Sequence, residues 1–143
     1  MLSGTREGAV KKPPVVVATS HFDLAEAYAP AWYQDTHRDW WADMIVAFNF
    51  DGDYRGDNNW EHYMEYPPLA YIYYSLIETE THWFITYSDF HARDTADVCW
   101  GSLCHENDME GAMVVVRKTD DELGELEYVE TIFHNDINSY TAS

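Results

Sequence analysis

The stretch CHENDMEG, residues 104–111, places one imidazole, three carboxylates and an amide between His105 and Glu110, directly before the apolar run AMVVVRK. With a strand beginning near residue 108, period-two alternation sets Asp108 and Glu110 on one face and points Met109 into the packing. His105, in the preceding loop, folds over the same face. An imidazole with two carboxylates is a facial set for a divalent cation. Two carboxylates this close repel and raise a pKa when no cation offsets them. The plainer alternative is a pair of solvated acids at a strand start. Just upstream, YSDFHARD (87–94) ends another strand-like run. If that strand neighbours 109–117, Asp94 reaches the same rim, with Asp89 and His91 as further candidates.

A second acidic cluster lies in DGDYRGDNNWE, residues 51–61. Asp51, Asp53 and Asp57 are spaced like the ligands of a calcium loop, with Gly56 at the sharp turn. Arg55 stands where an oxygen ligand belongs and Glu61 comes one residue early, which excludes a regular EF-hand. An irregular calcium loop and an ordinary Asx-type turn remain the two readings. Among the aromatic residues, Trp40 and Trp41 in the polar HRDWWAD are the candidates for an exposed rim that could stack on a sugar or enter a membrane interface. The other aromatics, Trp32 and Tyr33 among them, read mostly as core.

The elements that must position these residues are mostly strands. LAYIYYSLIE and HWFITYSDF are rich in Tyr, Ile, Phe and Trp, and the short TET between them suits a hairpin. The alternation predicts pairing of 69–77 with 82–90, and places His82, Phe84, Thr86 and Ser88 on one face, Trp83, Ile85 and Tyr87 on the other. EGAMVVVRK pairs through the TDDELG turn with ELEYVETIFHN, so 111–118 and 125–134 form a second hairpin. MIVAFNF (44–50) reads as a buried strand. SHFDLAEAYAP reads as a short helix, capped by Ser20 with Asp23 and ended by Pro30. WEHYMEY suits one helical turn before Pro67. Long strands joined by hairpins predict an antiparallel β-sandwich with short helices, in one domain over 20–143. Residues 1–19 read as a mobile lead-in, and the final DINSYTAS as an end that lacks one or more C-terminal strands of a longer relative.

Composition narrows the function classes. The 143 residues carry a formal charge of −18, from 26 acids against 8 bases. Such a chain is not a nucleic-acid binder, because phosphate recognition needs Lys and Arg. It suits a protein that attracts cations, and equally one kept in solution by its acidic surface. Cys99 and Cys104, in CWGSLC, are too widely spaced for a CxxC redox pair and lack the second pair of a structural zinc site. A disulfide closing a small loop implies an oxidising, secreted or extracellular setting; two free buried thiols are the alternative. The apolar run near the N-terminus, Val15 to Ala18, is too short for a signal h-region or a membrane span.

YSDFHARD followed by HENDMEG resembles the core of the necrosis- and ethylene-inducing-peptide-like proteins. That family has a Tyr-Ser-x-aromatic-x-x-basic-Asp segment, then a Gly-His-Arg-His-Asp-Trp-Glu heptad that opens a strand. Tyr87, Ser88, Phe90, Arg93 and Asp94 match the segment; His105, Asp108 and Glu110 match the heptad. VETIFHND is similar to a later strand of the family, with His134 at its His position. The resemblance covers about residues 83–140. It implies a β-sandwich, a Ca²⁺ or Mg²⁺ ion held by Asp94, His105, Asp108 and Glu110, secretion, and recognition of sphingolipid headgroups. Cys104, Asn107 and Met109 depart from the heptad, and the family's lipid-binding C-terminal third has no counterpart here. The wider pattern YAP…YQDT…FDGD…NNWE…HENDMEG resembles uncharacterised secreted bacterial proteins.

Three function classes follow. The first is a lectin-like, metal-dependent binding protein for a glycan or glycolipid headgroup, with Asp94, His105, Asp108 and Glu110 on the cation and His91, His134, Trp40 and Trp41 around the ligand. The second is a metal-assisted hydrolase, with Asp108 or Glu110 as base and His105 or His134 as acid, although no nucleophile elbow, HExxH or phosphate loop is present. The third is a calcium-bridged structural protein that self-associates through an unpaired sheet edge.

Overall fold

The computed structural model describes residues 20–34, 41, 43–67, 69–101, 103–134 and 136–142. The expected lead-in at 1–19 and Trp40 lie outside the described residues.

The chain begins with helix α1 (His21–Ala27). Its start is the expected capping box: Ser20 Oγ accepts the Asp23 N–H at 3.1 Å, and Asp23 Oδ2 accepts the Ser20 N–H at 3.0 Å. These bonds satisfy donors that a helix N-terminus otherwise leaves open. The helix ends at Tyr28, ahead of Pro30. A single turn, α2 (Asn59–His62), follows the acidic loop. Then come strands β1 (Tyr73–Glu78), β2 (His82–Ser88), β3 (His91–Asp94), β4 (His105–Asp108), β5 (Gly111–Arg117), β6 (Glu125–Phe133) and β7 (Asp136–Thr141). They form two antiparallel sheets, one in the order β1-β2-β5-β6-β7 and a smaller one of β3 and β4. The architecture is mainly β and sandwich-like, and both expected hairpins are present.

Alternation explains the main core. Ile85 and Tyr87 on β2 and Val114 and Val116 on β5 are buried on one face, where Leu24 and Ala25 of α1 cover them. Each such aliphatic side chain, fully buried, contributes about 1.5–3 kcal/mol. The Tyr87 hydroxyl donates to the Ala25 carbonyl at 2.8 Å, tying helix to sheet. A second cluster, Val46, Phe90 and Ala92, with Phe50 and Tyr63 against it, lies around β3.

The two sheets are one ribbon folded at a single place. β2 runs on into β3 through Asp89 and Phe90, and β4 into β5 through Met109 and Glu110. At the crossing the Asp89 N–H donates to the Glu110 carbonyl at 3.2 Å, and the Glu110 N–H donates to Asp89 Oδ1 at 3.0 Å. Gly111 lets the chains approach: a Cβ there would lie 2.5 Å from the Tyr87 carbonyl oxygen. The functional residues sit at this fold.

Three sequence expectations are corrected here. MIVAFNF is buried at Ile45 and Val46 but pairs only through one bridge, Ile45 to His91, before turning at 48–50. A continuous apolar run reports burial, and it forms a strand only where a sheet edge is offered. His105 lies on β4 rather than in a loop, and Met109, at the crossing, is 54% exposed rather than packed.

Candidate metal centre

β3 and β4 are short strands joined by the loop 95–104, and their register sets Asp94 opposite His105 and His91 opposite Asp108. Opposed residues in an antiparallel pair present neighbouring side chains. His105 Nε2 lies 3.5 Å from Asp94 Oδ2. The loop is closed by the expected Cys99–Cys104 disulfide. Cys104 is the residue before His105, and the Ala96 N–H points at Cys104 Sγ at 3.2 Å. The cross-link therefore ties down the connection between the two ligand-bearing strands.

His105 and Asp108 are three residues apart, so regular alternation would send them to opposite faces. Asn107 breaks the alternation. Its φ is 60°, in the left-handed region that Asn enters more readily than most residues. Its side chain holds the kink: Nδ2 donates to the Gly56 carbonyl at 2.6 Å, and Oδ1 accepts from Asn59 Nδ2 at 2.7 Å. The acidic loop and α2 thus brace β4 from outside.

The structure divides the four expected ligands into two pairs, each joined by His134. Asp94, His105 and His134 each offer a ligand atom within 4.8 Å of the others, and so do Asp108, Glu110 and His134. His134, which the sequence reading did not count among the metal ligands, is common to both. It follows the end of β6 with φ 49°, in the turn that leads to β7. No group of this kind among the described residues contains all four expected ligands at once.

Asp94, Asp108, Glu110 and His134 line one wall of a cleft of about 520 Å³ at the sheet crossing, together with Asp89 and His91. Trp32, Tyr33 and Phe133 line it as well, and Tyr33 is almost fully exposed. An adjoining, more extensive depression of about 830 Å³ shares Asp94, Asp108 and His134 and adds His105, Leu103 and Met109. Burial, with the neighbouring charges of Asp108 and Asp89, pushes the Glu110 pKa up. A carboxyl with a raised pKa beside other acids is a group that gains from a cation.

Asp89 and His91 form the floor. Both are buried, at 2% and 6% exposure. His91 Nδ1 meets the Asp43 carbonyl at 2.9 Å, and Nε2 lies 3.8 Å from Asp89 Oδ2. Burial acts to lower the His91 pKa, but Asp89, the Asp43 carbonyl and the charge of Asp108 outweigh it and the net direction is upward. His91 lines the cleft, as expected, but from its buried floor rather than from an exposed rim. Trp41 is half-buried and lines neither cleft, so the aromatic rim comes from Trp32, Tyr33 and Phe133 instead. Sequence reasoning assigned Trp32 and Tyr33 to the core; Trp32 is half-buried and does pack against the main core cluster while lining the cleft, whereas Tyr33 is almost fully exposed.

The second acidic cluster forms only in part. Asp51, Asp53 and His62 each bring a ligand atom within 4.8 Å. Asp57 does not join them; it is exposed and pairs with Arg55 at 3.0 Å. His62 Nδ1 and Asp51 Oδ2 are 2.6 Å apart, which raises the His62 pKa. Asp53 accepts the Arg55 N–H at 2.6 Å and Asn58 Nδ2 at 3.2 Å. The cluster satisfies itself as an Asx-rich turn.

Comparisons with protein-family models, curated proteins and solved structures found no match for this chain. No helix among the described residues is long and apolar enough to cross a membrane.

Proposed function

We propose that the protein is a cation-dependent binding protein of the Ca²⁺ or Mg²⁺ type, lectin-like, that takes a glycan or glycolipid headgroup in the cleft at the sheet crossing. The observation that carries this reading is that His134 stands within ligand distance of two pairs, Asp94 with His105 and Asp108 with Glu110. Either set, of carboxylate oxygens with imidazole nitrogen, suits a hard divalent ion whose remaining positions are open to hydroxyl or water oxygens. Trp32, Tyr33 and Phe133 give the same cleft apolar surfaces suited to the C–H faces of a sugar. The disulfide agrees with a secreted protein. The resemblance to the necrosis- and ethylene-inducing-peptide-like proteins points the same way, through the same residues.

The test has two parts. Titration calorimetry with Ca²⁺ and with Mg²⁺ should show a single binding event, lost in Asp108→Ala. A glycan array probed with and without chelator should then show cation-dependent retention. Retention that is indifferent to chelator would refute the cation's part in ligand binding. A second reading, a metal-assisted hydrolase, is favoured by one observation: the raised Glu110 pKa beside Asp108 and His134 suits a general acid or base. Turnover of ester or glycoside substrates that Glu110→Gln abolishes would promote it over the first.

A further inference from the structure

The larger sheet ends on one side in β7, and that edge is open. Among the described residues no strand pairs with its outer side, and all six of its residues, Asp136–Thr141, are exposed. Sheet edges are normally blunted by Lys, by Pro, by a bulge or by a covering element. β7 carries none of the first three. Its sequence is DINSYT, and its pairing with β6 runs unbroken from Phe133 opposite Asp136 to Tyr128 opposite Thr141. The other edge strand, β1, is guarded at both ends: the Phe48 N–H donates to the Tyr73 hydroxyl at 2.8 Å, and His21 and Lys118 meet Glu78. The ladder also fixes which groups of β7 face outward. The Ala142 N–H donates to the Glu127 carbonyl at 3.1 Å, and inward and outward residues alternate along an antiparallel strand. Residues 136, 138 and 140 therefore bond to β6, while the N–H and C=O groups of Ile137, Ser139 and Thr141 point away from it.

We infer that β7 pairs with β7 of a second copy of this chain, antiparallel about a two-fold axis through Ser139. In that register Ser139 faces its own copy and Ile137 faces Thr141 of the second copy, so every outward N–H and C=O finds a partner. The axis stands perpendicular to the sheet, so the face covered by α1 continues across the seam, with Tyr140 beside Asn138 of the second copy. On the other face Ile137, 63% exposed and flanked by Ile132 on β6, gains Thr141 of the second copy on its open side. Charge favours this seam. The chain carries a formal −18, yet residues 137–142 carry no charge. Asp136 lands opposite Ala142 of the second copy. The next acid along that line, Glu127 of the second copy, is two strand spacings away, about 10 Å, which is the screening length at 0.1 M salt. Glu127 is moreover paired with His82 at 2.8 Å. A foreign strand has no such match, because selecting one takes pockets for its alternate side chains, and β7 offers Asn, Ser and Thr on a flat edge. A single seam of six residues is smaller than the roughly 800 Å² per partner of a standard interface, so the dimer is weak and concentration-dependent. The inference draws on no residue of the cation site.

The experiment is sedimentation velocity of the intact protein over about a hundredfold range of concentration, in chelator and in Ca²⁺, at low and at high NaCl. The expected result is a monomer that becomes a dimer as concentration rises, in chelator as in Ca²⁺. High NaCl should favour the dimer, because salt screens the repulsion between two acidic copies. Ser139→Pro removes an outward N–H and leaves the bonds to β6 in place. It should weaken dimerisation about tenfold or more, with the thermal midpoint of the dilute protein unchanged. Ser139→Cys tests the register. Opposed residues of a hydrogen-bonded antiparallel pair have Cα atoms about 5.5 Å apart, within the span of a disulfide. Under mild oxidation Ser139→Cys should form covalent dimers, and Asn138→Cys, which faces Tyr140 of the second copy, should not. If Ser139→Pro lowers the midpoint, the two cysteine variants decide alone. A protein that stays monomeric, or a Ser139→Cys variant that does not cross-link, overturns the inference. A dimer that survives Ser139→Pro, or cross-linking as fast from Asn138→Cys, places the contact elsewhere and overturns it too. Dimers that form only with Ca²⁺ would assign the association to a bridging cation, and species larger than a dimer to a head-to-tail join of β7 with β1; both contradict the two-fold seam.

Discussion

Replacing Gly111 by alanine perturbs the one place where both sheets and the site meet. The added Cβ would lie 2.5 Å from the Tyr87 carbonyl oxygen and 3.5 Å from Ser88 Cα and Oγ. The first contact is with backbone, so no side-chain rotation relieves it. Gly111 pairs with Ser88 on one side and Ile132 on the other, so moving it disturbs two ladders at once. Overpacking of this kind costs about 2–3 kcal/mol. For a domain of this size each kcal/mol shifts the midpoint by roughly 3–5 °C, which gives a fall near 10 °C. Gly101→Ala is the control. Nothing lies within 4 Å of its Cβ position, and only the left-handed φ of 65° opposes it, at about 1 kcal/mol. Thermal unfolding followed by circular dichroism in chelator checks both. Because Glu110 precedes Gly111, Gly111→Ala should also weaken Ca²⁺ binding, whereas Gly101→Ala should not. Equal midpoints for wild type and Gly111→Ala would show that the crossing is not as close as described.

Two further outcomes are expected. Tyr87→Phe leaves the Ala25 carbonyl without its buried donor and should cost about 1–2 kcal/mol by chemical denaturation; the hydroxyl, pushed up to about 12 by burial, should ionise in alkaline spectrophotometric titration only as the pH approaches that value, a step that Tyr87→Phe removes. Glu110→Gln should raise the midpoint of the chelated protein near neutral pH. The Glu110 pKa is raised on folding, so its ionised form opposes the fold; that opposition is absent below the unfolded carboxylate pKa and appears as pH rises through the folded one. The advantage of Glu110→Gln should therefore vanish on acidification, and a variant that melts lower than wild type in chelator at neutral pH contradicts the assignment.

Local chemistry was legible in the sequence wherever it was self-contained. The Ser20 and Asp23 box needs only four residues, and the two hairpins need only alternation and a turn. The disulfide loop was readable for the same reason. The site was legible in its ligand types, because Asp108 and Glu110 share a wall whichever way the strand bends. The order of the strands decided the rest. His134 becomes the shared member only because β6 lies beside β5, which brings the end of β6 next to Glu110. Asn107 read as a departure from the family heptad; its role in turning Asp108 appears only with its left-handed backbone and its bonds to Gly56 and Asn59. The secondary calcium loop failed at Asp57, where Arg55 nearby in sequence supplied the partner that a cation would have supplied. Tyr33 could not be told from a core aromatic by type, since nothing in its neighbours marks which side of the chain faces the cleft.

The most direct test of the account is thermal unfolding of wild type, Asp108→Ala and Asp121→Ala in Ca²⁺ and in chelator. An ion that binds only the folded protein adds about 2.7 kcal/mol at a hundredfold excess over its dissociation constant. That corresponds to a rise of roughly 10 °C. Wild type and Asp121→Ala, whose substitution lies in the β5–β6 turn away from the cleft, should both show the rise, and Asp108→Ala should lose most of it. A wild-type midpoint that is the same with Ca²⁺ and with chelator, or an Asp108→Ala protein that keeps the full rise, would contradict the assignment of a cation to this cleft.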